Sequence, residues 1–310
     1  MNNLTLFKNL IDYLMLRKIL IKIIQSNEYR FLGVFNSMKF SKVYNIISNP
    51  LEFRKKSTLM KYFDDLGSKT KKDLIQNGYS FANFCGHKDH IKLLQNYVKN
   101  IDLKFTNKKF MTNVLDTKKP SELLDKLIQF SLNPVILDPV IQYFGFVPKL
   151  TSIKLLVSIP NKGNLTSSQL LHLDTADLPG NHCKVFINLE KTNISNGAFS
   201  FLDSNSSSQL INKTNYGKRG VDYRIKDEKL AQILSPNKII RCEGDEYSGL
   251  FIDTSRCFHM GSRVIEGDRK ILMLQFTSPN QSRLNKPHKL ALTNKNILEK
   301  FSILQRFVIN

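Results

Sequence analysis

The feature that most limits what this chain can become is a pair of ligand-type residues, His172 and Asp174, just ahead of a β-type run. In an extended strand, residues two apart point to the same face. An imidazole and a carboxylate therefore stand side by side, while Leu171 and Leu173 turn to the opposite face and the core. The run Lys184-Val185-Phe186-Ile187-Asn188-Leu189 follows, then a turn at Asn196-Gly197 and a second short strand. A further apolar stretch, residues 249–264, ends a strand at Asp253-Thr254-Ser255 and carries His259. Arg269 then opens the strand Lys270-Ile271-Leu272-Met273-Leu274-Gln275-Phe276. Ligands separated along the chain, on strands of a closing β-sandwich with an arginine at the mouth, are the pattern to explain.

Two His and one carboxylate that leave the opposite coordination positions free are the facial set of non-haem Fe(II) oxygenases. The residues lie in three blocks that resemble, in order, the phytanoyl-CoA dioxygenase family of Fe(II)/2-oxoglutarate-dependent oxygenases. The first is Ser168-Gln169-Leu170-Leu171-His172-Leu173-Asp174. The second is the run from Lys184 to Leu189, leading to Asn196-Gly197-Ala198-Phe199. The third is Phe251-Ile252-Asp253-Thr254-Ser255-Arg256-Cys257-Phe258-His259-Met260-Gly261-Ser262-Arg263, leading to Asp268-Arg269-Lys270. Asn77-Gly78-Tyr79 is similar to the family's opening strand, so the resemblance covers residues 70–280. One departure stands out. The family often has Gly-Pro and then Pro-Gly-Ser-His after the second strand, where this chain has Gly197-Ala198 and Asp203-Ser204-Asn205-Ser206. That loop bears on substrate choice more than on chemistry.

The resemblance implies a mainly β fold with helical decoration, the double-stranded β-helix, a jelly-roll or cupin-like barrel. It implies Fe(II) held by His172, Asp174 and His259, with 2-oxoglutarate taking two open positions and O2 the last. Arg269, ten residues after His259, matches the family's arginine, whose planar fork grips the distal carboxylate of 2-oxoglutarate; Arg263 is less well placed. Phe186, Asn188, Gln169, Thr254 and Gln275 are further candidates for contact with the cosubstrate, and Met273 shares a face with Arg269. In related halogenases the carboxylate position is Gly or Ala, so Asp174 implies hydroxylation of a small organic molecule, with succinate and CO2 as co-products. Three alternatives stay open: a cupin-like metal enzyme that does not use 2-oxoglutarate, a non-catalytic jelly-roll binding module, and a nucleic-acid demethylase. The last carries a second arginine six residues after the first, where this chain has Gln275.

The organisation expected is a helical N-terminal extension (1–70), the barrel domain (71–285, with an insertion at 204–241) and a C-terminal helix (286–310). An apolar fraction of 41% with 21 Phe suffices for a core. The net charge of +20 suits an anionic small-molecule substrate, whereas Lys spread throughout the chain speaks against nucleic acid. Residues 4–24 are apolar but broken by Lys8, Asp12, Arg17, Lys18 and Lys22, too charged for a spanning helix. They read as a basic helix that packs on the body, on a partner or peripherally on a membrane surface, without the pattern of a signal peptide. Cys85, Cys183, Cys242 and Cys257 show no paired framework, which points to a reducing compartment and a cytoplasmic location. Cys85-Gly86-His87-Lys88-Asp89-His90 lacks the second ligand pair of a zinc site and reads as a polar turn. His182 reads as an exposed loop histidine. Helices are expected at 69–76, 91–100, from Ser121 and at 294–309, and strands at 79–84 and 153–159. Pro134 and Pro139 bracket a short apolar piece before a helical turn at 140–144. The 204–241 stretch reads as a long loop with one helical piece near 226–234.

Overall fold

The computed structural model describes residues 68–104, 110–161, 163–174, 182–216, 221–261, 263–278 and 295–309. The basic segment at 4–24 lies outside them.

Helix α1 (Ser68–Asn77) ends at Gly78, whose φ of +82° turns the chain into β1 (Tyr79–Asn83). Next come α2 (Lys88–Lys99), β2 (Met111–Asn113) and α3 (Glu122–Ser131). The Ser121 side chain caps α3 by accepting from Leu124 N. Helix α4 (Pro134–Phe144) is capped by Asn133, starts on Pro134 and ends at Gly145 in the left-handed region. The sequence suggested a break at Pro139, but the helix is continuous. Proline removes only one hydrogen bond there, and buried Ile136, Leu137, Val140, Ile141, Tyr143 and Phe144 tie both halves to the core.

The remaining strands are β3 (Lys149–Ser158), β4 (His182–Asn188), β5 (Ser200–Phe201), β6 (Ile240–Arg241), β7 (Ser248–Ile252), β8 (His259–Met260) and β9 (Arg269–Thr277). They form a six-stranded sheet in the order β1-β7-β4-β9-β3-β2 and a three-stranded sheet in the order β6-β5-β8, with neighbouring strands antiparallel. Facing sheets of this kind make the jelly roll. One face of the large sheet, including Ile153, Leu155, Val157, Val185, Ile187, Leu272 and Leu274, packs against the helices. The other, with Leu156, Phe186, Leu250, Ile252, Ile271 and Met273, packs against Phe201 of the small sheet and Phe199 just before it. Both faces are thus buried, which is why β3 does not alternate. Each such side chain contributes about 1.5–3 kcal/mol by leaving water.

Between the sheets' connections lie α5 (Ser204–Thr214) and α6 (Asp227–Ala231). Helix α6 falls where a helical piece was expected; α5 falls where a loop was. Asp203 caps α5, accepting from Ser206 N at 2.6 Å, and Asn215 closes it at φ +53°. Its serines let it pack closely: Ser204 Oγ donates to Gln76 O, and Ser207 Oγ accepts from Phe258 N. The C-terminal helix is likewise split, into a 3-10 turn (Lys295–Lys300) and α7 (Ile303–Ile309), with Ser302 Oγ accepting from Gln305 N at the break. Among the described residues no helix is long and apolar enough to cross a membrane.

Gly78 locks the opening strand to the site. Its carbonyl accepts from Asp253 N, and a Cβ there would lie 2.4 Å from Cys257 Sγ. Gly78→Ala should therefore cost about 2–3 kcal/mol through backbone strain and overpacking. The check is a lower urea midpoint at unchanged slope.

Candidate metal centre

The two ligand histidines are bonded to each other through the backbone. His172 N donates to His259 O at 3.0 Å and His259 N to His172 O at 2.9 Å, an antiparallel bridge between otherwise separate segments. Their rings lie on one side, with centroids 4.3 Å apart. Asp174 follows on the same extended segment, its N–H donating to Thr254 O at 2.9 Å. His172, Asp174 and His259 thus meet as the alternation required, with ligand atoms all within 4.8 Å of one another. Among the described residues no other His, Cys, Asp or Glu residues gather in this way. The Cys85 segment forms a 3-10 turn, and His87 and His90 pack on Phe130.

The histidines are set up to ligate. His172 Nδ1 lies 2.8 Å from Leu170 O, and His259 Nδ1 lies 3.1 Å from Cys257 O. A carbonyl only accepts, so each Nδ1 carries the hydrogen and each Nε2 is left with its lone pair. Burial, then the charge of Arg224, lowers the His172 pKa to about 4; burial holds His259 well below its usual value. Both are neutral at pH 7, as metal binding requires.

Asp174 is the ionised member. Burial would raise its carboxyl, but Lys184, His259 and His182 hold it well below the usual range. Its Oδ2 accepts from Lys184 Nζ at 2.6 Å and from Thr254 Oγ1 at 2.5 Å. His182 is a correction: it opens β4, opposite Thr277, and is buried with Nε2 3.6 Å from Asp174 Oδ2. Thr254 is held in turn by a network around Asp253. Tyr143 Oη donates to Asp253 Oδ2 at 2.6 Å, and Ser255 N and Oγ donate to Oδ1.

Arg269 stands on the inner wall, 2% exposed. It donates from Nη1 to Gly197 O at 2.6 Å, while its Nε has no partner. Among the described residues no carboxylate pairs with it, and burial lowers its pKa to about 10. A buried cation without a counter-ion is costly, so this guanidinium is built for an anion. Arg263 has no such vacancy, since it binds both Asp227 oxygens and Gln169 O.

The other candidates divide. Phe186 lines the inner wall, its ring 4.4 Å from Phe199, which lies 5.6 Å from the His259 ring. Gln275 sits on that wall opposite Lys184 and Ser152. Asn188 donates to Ser248 Oγ, and Gln169 accepts from Thr166 N and Asn161 Nδ2 in the loop before His172. Lys184 and Tyr143 were not singled out in the sequence. For Lys184 the signal was present: it alternates with Phe186 and Asn188 and so shares their inward face.

Two outcomes are expected. Thr254→Val removes one bond to Asp174 and should weaken divalent-metal binding about 10- to 100-fold while the protein stays folded; calorimetric titration with Ni(II) reads this. Metal-free protein should lose stability on acidification. The folded His172 pKa, about 4, lies below the ordinary 6.5, so the unfolded chain takes up the proton first. The loss begins near pH 6.5 and is complete below pH 4, reaching about 3 kcal/mol from His172 alone. His172→Asn should flatten the urea midpoint between pH 7 and 5.

No family profile and no curated protein sequence matches this chain. Solved structures do match. EctD from S. alaskensis in its apoform is 14% identical, covering 73% of this chain and 82% of its own, with a TM-score of 0.52. The structure of EctD with 2-oxoglutarate and 5-hydroxyectoine gives 13% identity, the same coverage and a TM-score of 0.52. HygX from Streptomyces hygroscopicus with nickel and 2-oxoglutarate bound is 12% identical over 68% of this chain and 87% of its own, at a TM-score of 0.48. Identities this low speak to architecture, and the architecture is that of the cupin-type jelly roll.

Proposed function

We propose that this chain is an Fe(II)- and 2-oxoglutarate-dependent dioxygenase, similar to the phytanoyl-CoA dioxygenase family, that hydroxylates a small organic molecule. The observation that carries the reading is one arrangement. Two neutral imidazoles and an ionised carboxylate converge within 4.8 Å, and a buried guanidinium with no counter-ion among the described residues shares their barrel. The first part fits Fe(II) with open positions. The second fits the distal carboxylate of a 2-oxo diacid. EctD, of like fold, has been solved with 2-oxoglutarate and 5-hydroxyectoine.

When bound, iron and 2-oxoglutarate with O2 supply the oxidant, and the cosubstrate leaves as succinate and CO2. The protein's own residues do the rest. His172, His259 and Asp174 would hold the metal and leave positions open for its other ligands. Thr254 and Lys184 fix the Asp174 carboxylate. Phe186 and Phe199 make an apolar wall beside His259 that excludes water. Asp174 itself fills the position that halide takes in halogenases, which favours hydroxylation.

Anaerobic titration with Fe(II) and 2-oxoglutarate tests this. A weak visible charge-transfer band should appear. Arg269→Glu should weaken 2-oxoglutarate binding by roughly 100-fold or more, and His172→Ala should lose the iron, both with unchanged circular dichroism. A folded, iron-loaded protein without the band, or a band indifferent to Arg269→Glu, would move the reading to a metal enzyme that does not use 2-oxoglutarate.

A further inference from the structure

The inner wall of the large sheet carries positive charge at both ends. At one, Ser158 and Arg269 stand in register. At the other, Ser152, Gln275 and Lys184 line up across β3, β9 and β4. Lys154 is one inward pair along, opposite Met273, which is itself opposite Phe186. Alternate strand residues share a face, so Lys154 and Lys184 flank β9 on the wall that also carries Arg269. Their neighbours on this face are apolar: Leu156, Phe186, Ile252, Ile271 and Met273. Lys184 is out of keeping with such a wall unless it meets something negative, while Lys154 beside it is exposed to solvent.

Little that is negative is there. Lys184 has a side chain only 13% exposed, with Nζ 2.6 Å from Asp174 Oδ2. That carboxylate also has to serve the metal. Lys154, exposed to solvent, forms no ion pair among the described residues; partial burial and then Lys184 lower its pKa, and Asp174 opposes them. Arg224, exposed to solvent, adds positive charge near His172. Arg269 does not share this demand: Gln275 and Arg269 are six residues apart on β9, about 20 Å along the strand. One short diacid does not span both ends.

We infer that Lys184 and Lys154 form an anion-binding subsite at the metal side of the barrel, and that the substrate is a small organic anion whose carboxylate or phosphate they hold. This rests on the metal-centre reading above and adds the class of substrate. Lys184 is then a specificity residue that is released to substrate as the metal takes over Asp174, and Lys154 is its partner from across β9.

The test uses protein loaded anaerobically with Fe(II) and 2-oxoglutarate, so that Arg269 and the metal are already satisfied. Butyrate, methyl phosphate and neutral butyramide are titrated by calorimetry. Butyrate or methyl phosphate should bind at least tenfold tighter than butyramide, and the tighter of the two names the anionic group. Lys184→Gln and Lys154→Gln should each lose about tenfold, Lys184→Arg should keep the affinity within about threefold, and the chelate band should persist in Lys154→Gln. Should Lys184→Gln fail to fold, the exposed Lys154 carries the test. Equal binding of butyramide and butyrate, or unchanged anion affinity in the Lys154→Gln/Lys184→Gln double variant, would overturn the inference. A missing chelate band would sink the oxygenase reading alone, since the same titrations on Ni(II)-loaded protein still decide the subsite.

Discussion

The reciprocal pair of main-chain hydrogen bonds between His172 and His259 is the interaction on which the site depends. In an antiparallel pair, residues that exchange both bonds hold their Cα atoms about 5.5 Å apart and project side chains to one face. Two metal ligands from segments 87 positions apart (259 − 172) are thereby placed by the backbone, before any side chain chooses a rotamer. The Nδ1 contacts to Leu170 O and Cys257 O then remove the remaining ring freedom. Asp174 is tied to the same frame twice, by its N–H to Thr254 O and by its carboxylate to the Thr254 hydroxyl. Thr254 sits beside Asp253, which Tyr143 of α4 and the carbonyl of Gly78 hold from the helical side. A metal arriving at such a site finds ligands whose ordering entropy has already been lost in folding.

That frame explains what the sequence could and could not reveal. Strand alternation alone brought His172 and Asp174 to one face, because a period of two is a property of the local chain. His259 and Arg269 were found through block resemblance, since nothing local says which distant segment a strand will meet. The Thr254–Asp174 bond joins residues 80 apart in sequence, and Thr254 alone looks like any strand-end threonine. Lys184 was legible as inward-facing, but its partner was not. Gln169 was assigned to the cosubstrate, yet Thr166-Ser167-Ser168-Gln169 carries the spacing of a capping box, and its side chain accepts from Thr166 N as that spacing predicts. Helix α5 was hidden for a different reason. Ser and Asn are weak helix formers, and only their burial against Gln76 O and Phe258 N, a tertiary fact, makes the helix the better choice.

The charge carried inside the barrel gives these contacts a common direction. An interior normally avoids cations or pairs each with a carboxylate. Among the described residues Arg269 is buried without one, and Lys184 draws on the Asp174 carboxylate, which also faces His182 and His259. Holding the histidines neutral limits the cost, because burial has already excluded two further positive charges. A divalent metal would add positive charge to a site short of negative charge, and Asp174 offsets only part of it. Electrostatic balance therefore has to come from ligands. Arg269 calls for one anion at its end of β9, and the lysines call for another at theirs. The sequence's excess of basic residues is spread over the whole chain and carries little information by itself. These few cations, placed on an apolar wall at opposite ends of one strand, are where that excess acquires chemical meaning.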